Sequence, residues 1–182
     1  SCSICAIRDR PWPNGPCSKP WRPVAESAPW LTLEIQGLVS ILLLSHQRAF
    51  QRPLLACDRP GGSRRLANQE LFSSTMAVLA HDTSSDPRLI YANATALRLW
   101  QRPWQEMIGM PSRYTAEAGA RGQRAAALRT ANEQDAVEGY CGVRIDKTGQ
   151  RFMISNARIW TLWDEEGRKR GQAAAFSSWW HL

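Results

Sequence analysis

The order of apolar and polar residues changes from a strand pattern to a helix pattern at one position, Asn93. Residues 89–91 are a short apolar run of strand-favouring residues, which the chain enters through an Asp-Pro turn at 86–87. Residues 94–100 instead place apolar side chains three positions apart, on one face of a helix. The side-chain oxygen of Asn93 can accept from the free N–H groups of the first helical turn. The pattern therefore predicts a strand, a cap and a helix in succession.

The same patterns assign the rest of this region to a hairpin, a helical middle and three further strands. Strand-like runs, bounded by turn residues, precede and follow a segment rich in Ala and Arg. Two turns that begin with Asp and end with Gly, at 146–149 and 164–167, separate the last strands. The fold class predicted is α+β, a five-stranded antiparallel sheet with helices on one face. Its elements are a short helix at 65–72, strands at 75–80 and 89–92, a helical middle at 93–135, and strands at 140–145, 150–163 and 168–179.

An amphipathic helix is predicted before this region, over residues 31–51. Leu31, Ile35, Leu38 and Leu42 follow helical spacing, and Pro53 lies just beyond the end. Such a helix can cover one side of the sheet or form a dimer interface, and the sequence leaves both roles open. Its apolar surface is wider than one sheet face easily covers, so we predict a homodimer through residues 31–51.

Length and charge narrow the function classes. A chain of 182 residues with 43% hydrophobic residues suits one domain with extensions. The net charge of +7 lies mostly in residues 1–65, which contribute +5, so the remainder offers no dense basic face and nucleic-acid binding is not expected. No apolar run is long enough for a membrane helix, and a cytoplasmic protein is expected.

Motifs of enzymes and metal sites are missing from the sequence. Cys2-x-x-Cys5 with Cys17 lacks a fourth nearby ligand for zinc, so no metal site is predicted. The histidines are scattered at 46, 81 and 181, and no phosphate loop or nucleophile motif occurs, so enzymatic activity is not expected. Cys141 alternates with Val143 and Ile145 and is predicted to be a buried, inert thiol.

Several motifs together resemble one known family, and they occur in its order and at its spacing. Over about residues 30–182 the chain is similar to the MEKHLA family of PAS-like modules. The motifs are Tyr91-Ala-Asn93, Leu99-Trp100, Trp104, Pro111-Ser-Arg113, the run 139–152, Trp160 with Asp164-Glu-Glu-Gly-Arg168, and Gly171-Gln-Ala-Ala-Ala-Phe176.

The resemblance implies a stand-alone, bacterial-type module that senses a signal or contacts a regulatory partner. Family members also end plant homeodomain–leucine zipper transcription factors, but this chain has neither of those parts, so DNA binding does not transfer. The predicted division is a Pro/Trp-rich flexible tail at 1–29, a helix and loop at 30–60, and the PAS-like domain at 61–182.

The cofactor of such a module is unknown from the sequence, and two common ones are disfavoured. PAS-type flavin photosensors carry a reactive cysteine in the helical middle, but residues 93–139 contain none. A haem sensor needs an axial ligand there, and no histidine lies between His81 and His181; Met107 and Met110 are only weak candidates.

A small-molecule pocket between sheet and helices remains, although a filled core is the competing interpretation. Candidate pocket residues are aromatic rings, polar groups and one arginine that could meet a carboxylate: Tyr91, Asn93, Trp100, Trp104, Arg113, Asn156, Trp160 and Gln172.

The predicted function is a PAS-like sensory or regulatory module that binds an unknown small molecule or a protein partner and signals through protein contact. One alternative is a filled-core dimerisation or scaffold protein without ligand. A minority alternative is a small enzyme on a cystatin-like sheet.

Overall fold

The computed structural model describes residues 28–56 and 62–182. Nearly all of the predicted tail, the three cysteines before residue 20 and the loop at 57–61 lie outside these described residues. Short 3-10 helices occupy Pro29–Leu31, Ser112–Thr115 and Ala118–Ala120. The longer elements are α1 (Leu33–Phe50), α2 (Arg64–Ser73), β1 (Ala77–His81), β2 (Leu89–Ala92), α3 (Ala94–Trp100), α4 (Trp104–Met107), α5 (Arg121–Gln134), β3 (Ala136–Ile145), β4 (Arg151–Trp163), β5 (Lys169–Phe176) and β6 (Ser178–His181).

The strands form one antiparallel sheet in the order β2-β1-β5-β4-β3. The predicted antiparallel sheet is confirmed, with a sixth strand, β6, paired to β4. The predicted last strand at 168–179, however, is divided at Ser177 into β5 and β6. The second half of β4 pairs with β5, whereas its first half pairs with β6, where Phe152 faces His181. A thirteen-residue β4 is long enough to take two successive partners along the same edge.

The two predicted Asp-to-Gly turns are present and have the same construction. The Asp146 carboxylate accepts from the backbone N–H groups of Thr148 and Gln150, and the Asp164 carboxylate accepts from those of Glu166 and Arg168. Both turns close on a glycine with positive φ, 86° at position 149 and 74° at 167. Asp therefore organises each turn and Gly ends it, as the sequence predicts.

Helices cover both faces of the sheet. On one face α1 packs against β4, where the Trp160 indole N–H donates to the Leu42 carbonyl at 3.2 Å. Ser45 adds a second bond, because its Oγ accepts from the Trp163 backbone N–H at 2.9 Å. On the other face lie α3 and α5. The predicted PAS-like segment 61–182 is thus packed against a helix that precedes it.

Strand β5 separates these two layers with very small side chains. Ala173 and Ala175 belong to the core that contains α1, whereas Ala174 faces the opposite layer. Only methyl groups therefore project from the middle of this strand.

Two bulges interrupt the pairing of β3 with β4. The first adds a residue to β3 and decides which of its side chains point inward, and the second adds a residue to β4. Regular pairing is interrupted between Val137 and Tyr140 and again between Tyr140 and Gly142. Two residues of this region have left-handed backbone, Gly139 with φ 73° and Asn156 with φ 53°. A bulge shifts the inward face by one residue.

The prediction of a buried Cys141 is therefore wrong. Cys141 is exposed, whereas Gly142 and Arg144 are buried in its place. The apolar alternation of Cys141 and Val143 does not mark the core face of β3. A backbone hydrogen bond from Asn156 lowers the pKa of the Cys141 thiol.

No helix within residues 28–56 and 62–182 combines the length and the apolar character needed to cross a bilayer.

Candidate functional site

A small cavity lies between the sheet and the layer of α3 and α5. Its free volume is about 50 Å³. The lining is apolar except near β3 and α5, where charged and hydroxyl-bearing side chains enter. The lining residues are Leu79, Ala80, Leu89, Trp100, Thr115, Arg124, Leu128, Tyr140, Arg144, Ile154, Ala157, Ile159, Ala174 and Phe176.

Arg144 is a buried arginine of β3 that faces this cavity. It is only 6% exposed, because the bulges turn it inward. Its guanidinium donates from Nη1 to the Val143 carbonyl at 2.8 Å and from Nη2 to the Tyr140 hydroxyl at 3.2 Å. Both acceptors are neutral, so these bonds satisfy two N–H groups and leave the charge uncompensated.

Arg124 reaches the same cavity from α5. Burial, followed by the nearby charge of Arg144, lowers the pKa of Arg124 to about 10. It therefore stays charged at neutral pH. Among the described residues, no carboxylate lies within 4 Å of either guanidinium, since every ion pair there involves other cations. A buried cation, Arg144, thus lies near a partly buried one, Arg124, which is unfavourable in the free protein.

His81 and Gln172 stand beside this pair, beyond the cavity wall. The Gln172 amide donates to the Leu128 carbonyl at 3.0 Å and so ties β5 to α5. His81 Nδ1 lies 2.8 Å from the Asp82 carbonyl, and no partner for its buried Nε2 occurs in the described part of the chain. Burial is the main cause of the lowered pKa of His81, and the charge of Arg124 lowers it further. His81 is therefore neutral at pH 7 and adds no counter-charge to the arginines.

Of the candidate pocket residues, Trp100 lines the cavity. It is buried, and its indole N–H donates to the Thr115 carbonyl at 3.1 Å. Its ring meets Phe152 edge-on at 5.1 Å. Trp100 therefore forms a fixed part of the wall.

The other aromatic candidates belong to the opposite core. Tyr91, Trp104 and Trp160 pack with residues of α1 and α2. The rings of Tyr91 and Trp104 meet edge-on at 6.0 Å, and Trp160 meets His46 in the same way at 4.9 Å. The structure does not bring these rings to the cavity.

The polar candidates also lie apart from one another. Asn93 is fully buried and bonds to the backbone around β1 and α3. Arg113 pairs with Asp86 at 2.6 Å at the surface. Asn156 lines a second, polar cavity of about 300 Å³ that includes Arg52 and Arg158.

Sequence reasoning missed four polar residues of the cavity: Thr115, Arg124, Tyr140 and Arg144. The one available signal for Arg124 was its spacing of four from Leu128, which puts both on one face of α5. No pattern in the sequence marks Arg144, because its inward direction depends on the bulges.

The cavity residues do not fit the cofactor of a flavin-adduct sensor. None of them is a cysteine, and Cys141, the only cysteine among the described residues, is exposed on β3. The free volume of about 50 Å³ is also below the 150 Å³ or so that holds a benzene-sized molecule. A three-ring flavin would require the helices to move apart.

Comparison with known proteins places the chain in a family. The family model of the MEKHLA domain matches residues 36–181. The chain belongs to the MEKHLA domain family. No protein in the curated set matches it significantly. The match begins within α1, so that helix is partly inside the MEKHLA region.

Solved structures similar to this MEKHLA domain are PAS and LOV proteins. A PAS domain from Colwellia psychrerythraea superposes with a TM-score of 0.55 at 15% identity, covering 65% of this chain and 95% of that one. An RNA-binding light-oxygen-voltage receptor gives a TM-score of 0.57 at 18% identity. That match covers 68% of this chain but 35% of the receptor. At these identities the likeness establishes a PAS-like fold.

Proposed function

We propose that this chain is a PAS-like sensory module that binds a small molecule between its sheet and α5 and passes the signal to another protein chain. In this proposal residues 61–182 form the sensory domain, and residues 30–60 supply a contact helix and a loop. The module acts by binding, without catalysis. The proposal is supported chiefly by the cavity, which carries two uncompensated arginines and lies at the interface of sheet and helices.

The position of the cavity suits a sensor because its walls come from separate elements. Trp100 ends α3, Arg124 belongs to α5, and Ala174 belongs to the central strand β5. A ligand that fills the space contacts all three and can change their spacing. Folds of this kind commonly place ligands where sheet and helices leave room.

Native mass spectrometry of the full-length protein, with an absorbance spectrum, tests ligand binding. Ala174→Val adds volume on the cavity wall and suits a strand position. Ala126→Val, on the exposed side of α5, is the matched control.

We expect a bound small molecule on the wild type and on the control, and its loss in Ala174→Val. If all three proteins are free of ligand and remain so after incubation with a metabolite extract, the filled-core scaffold is the correct reading. A flavin band in the absorbance spectrum would contradict the conclusion that the cavity residues do not fit a flavin.

For the output contact we propose a homodimer through residues 31–51. The observation that favours it is that α1 exposes Leu33 by 85% and Leu44 by 64%, although its other side is buried on β4. Leu66 at the start of α2 is 59% exposed. Large apolar side chains of this kind on one side of a fold are typical of a surface that another chain covers, and a second copy is the simplest partner.

A further inference from the structure

We propose that the cavity binds a small monocarboxylate with a short apolar tail, whose carboxylate is held by Arg124 and Arg144. This inference rests on the function proposed above and adds the chemical class of the ligand.

The argument for an anion comes from the pair of arginines. Both arginines line the cavity; Arg144 is almost fully buried and Arg124 is partly buried. An unpaired buried charge is unfavourable, and two of the same sign are more so. A protein that needed a dry, filled core at this place would have no reason to put two cations there. A ligand with one negative charge relieves both the missing solvation and the mutual repulsion.

The argument for a carboxylate comes from the donors. A guanidinium offers paired N–H groups that match the two oxygens of a carboxylate. Arg144 already uses part of its fork on the Val143 carbonyl and on Tyr140, so its direction is fixed before a ligand arrives. Arg124 makes no hydrogen bond to the described residues, so its whole fork is available.

The other lining residues determine the chemistry of the ligand's tail and the size of the ligand. Beyond the arginines the lining is aliphatic and aromatic, including Leu128, Ile154 and Phe176. A volume of about 50 Å³ is about a third of that which holds benzene, so it suits a ligand of about four non-hydrogen atoms, such as acetate, and is too small for an aromatic ring without movement of α5. The small volume and apolar wall also disfavour a phosphate ester, which is bulkier and more strongly hydrated.

The test is a titration of the full-length protein with acetate, ethanol and ethylamine at pH 7 and constant ionic strength. Binding is measured by calorimetry and by the thermal unfolding midpoint. These probes share one tail and differ in charge. The variants are Arg124→Gln, Arg144→Gln and Arg124→Lys, with Arg129→Gln as the control, because Arg129 is an exposed arginine of the same helix.

We expect acetate to bind about tenfold or more tightly than ethanol, and ethylamine not to bind. Arg124→Gln and Arg144→Gln should each weaken acetate binding about tenfold or more. Arg124→Lys should retain part of it, and Arg129→Gln all of it. Without ligand, Arg124→Gln should raise the unfolding midpoint, because it removes an uncompensated charge. This last measurement does not depend on the choice of probe.

Equal binding of acetate and ethanol would overturn the carboxylate assignment while leaving a small-molecule cavity in place. Unchanged acetate affinity in both glutamine variants would overturn it as well, and would move the site elsewhere. If no probe binds and Arg124→Gln lowers the midpoint, the arginines are structural, and the sensory proposal then depends on the mass spectrometry alone.

Discussion

Arg158 donates a hydrogen bond from Nη1 to Nε2 of His46 at 2.9 Å, which joins β4 to α1. A guanidinium has no acceptor, so Nε2 must be unprotonated. The ring proton therefore lies on Nδ1, which donates to the Arg52 carbonyl at 3.1 Å. His46 is buried, and it is held as one neutral tautomer between a cation and a carbonyl.

This arrangement predicts a loss of stability in mild acid. Burial, and next the charge of Arg158, lowers the pKa of His46 from 6.5 to about 4. Between these values the unfolded chain binds more protons than the folded one. The free energy of unfolding is therefore highest above about pH 6.5 and falls toward pH 4, by at most about 1.4 kcal/mol per pH unit for one histidine.

Urea unfolding from pH 4 to pH 8 measures this effect. The pKa of His81 is lowered as well, chiefly by burial, so His81 adds to the loss of stability below about pH 6.5. His46→Gln should be less stable at pH 7 but should lose less stability on acidification. An identical pH slope in wild type and variant would show that His46 does not titrate as described.

Asn93 should contribute far more to the stability of the fold than an ordinary helix cap does. Its Oδ1 accepts from the Ala96 and Val78 backbone N–H groups, and its Nδ2 donates to the Leu71 and Met76 carbonyls. Asn93→Ala breaks four buried bonds, so we expect a loss of about 3 kcal/mol or more. Thr32→Ala, at the exposed cap of α1, should lose only about 1 kcal/mol. If chemical denaturation gives equal losses of unfolding free energy for the two variants, Asn93 acts only as a helix cap.

Gly171 should not tolerate a side chain. Its φ is 148°, and a Cβ atom placed there would overlap the carbonyl oxygen of His81 on the neighbouring strand. We expect Gly171→Ala to destabilise the fold by more than about 3 kcal/mol or to prevent folding. Gly149→Ala is the control, because position 149 also has positive φ but open space around it, and should lose about 1–2 kcal/mol. Similar unfolding midpoints for the two variants would mean that β1 and β5 can separate at this point.

The hydroxyl of Tyr91 is expected to weaken the fold. It is buried, burial raises its pKa, and it has no hydrogen-bond partner among the described residues. Tyr91→Phe should therefore leave stability unchanged or raise it by about 1 kcal/mol. Tyr140→Phe should lower stability, because the Tyr140 hydroxyl accepts from Arg144. A large loss of stability in Tyr91→Phe would reveal an unseen partner for its hydroxyl.

If the proposed homodimer forms through α1, negative charges introduced on the exposed side of α1 should dissociate it into monomers. Leu33→Glu and Leu44→Glu change exposed positions and should leave the fold intact. Light scattering at tens of micromolar should show dimers for the wild type and monomers for the double variant. Leu182→Glu is the control, because it changes another exposed leucine outside α1, and this variant should remain dimeric. A monomeric wild type would leave α1 as a cover of the sheet alone.

Local patterns were sufficient for most elements of the fold, because the forces behind them are local. The change of periodicity at Asn93 and the Asp-to-Gly turns depend on residues that are close in sequence. The division at Ser177 depends on where β4 changes its partner, and nothing near Ser177 in the sequence specifies this.

The candidate site was much less accessible to the same reasoning. Aromatic side chains such as Tyr91, Trp104 and Trp160 fit either core, and periodicity does not say which core receives them. Arg144 was missed because the bulge between Val137 and Tyr140 shifts the inward face of β3 by one residue. A charged residue in a strand is ordinarily assigned to solvent, so its burial becomes visible only when the register is known.

The alanines of β5 determine how directly a displacement at the cavity reaches α1 on the other face of the sheet. Ala174 borders the cavity, and its neighbour Ala173 pairs with Trp160, whose indole is bonded to α1. Because positions 173–175 carry only methyl groups, no flexible side chain is available in the middle of this strand to absorb a displacement. We therefore expect β5 to move as a rigid unit. A shift of its backbone at the cavity should displace the residues that pack against α1 by a similar distance.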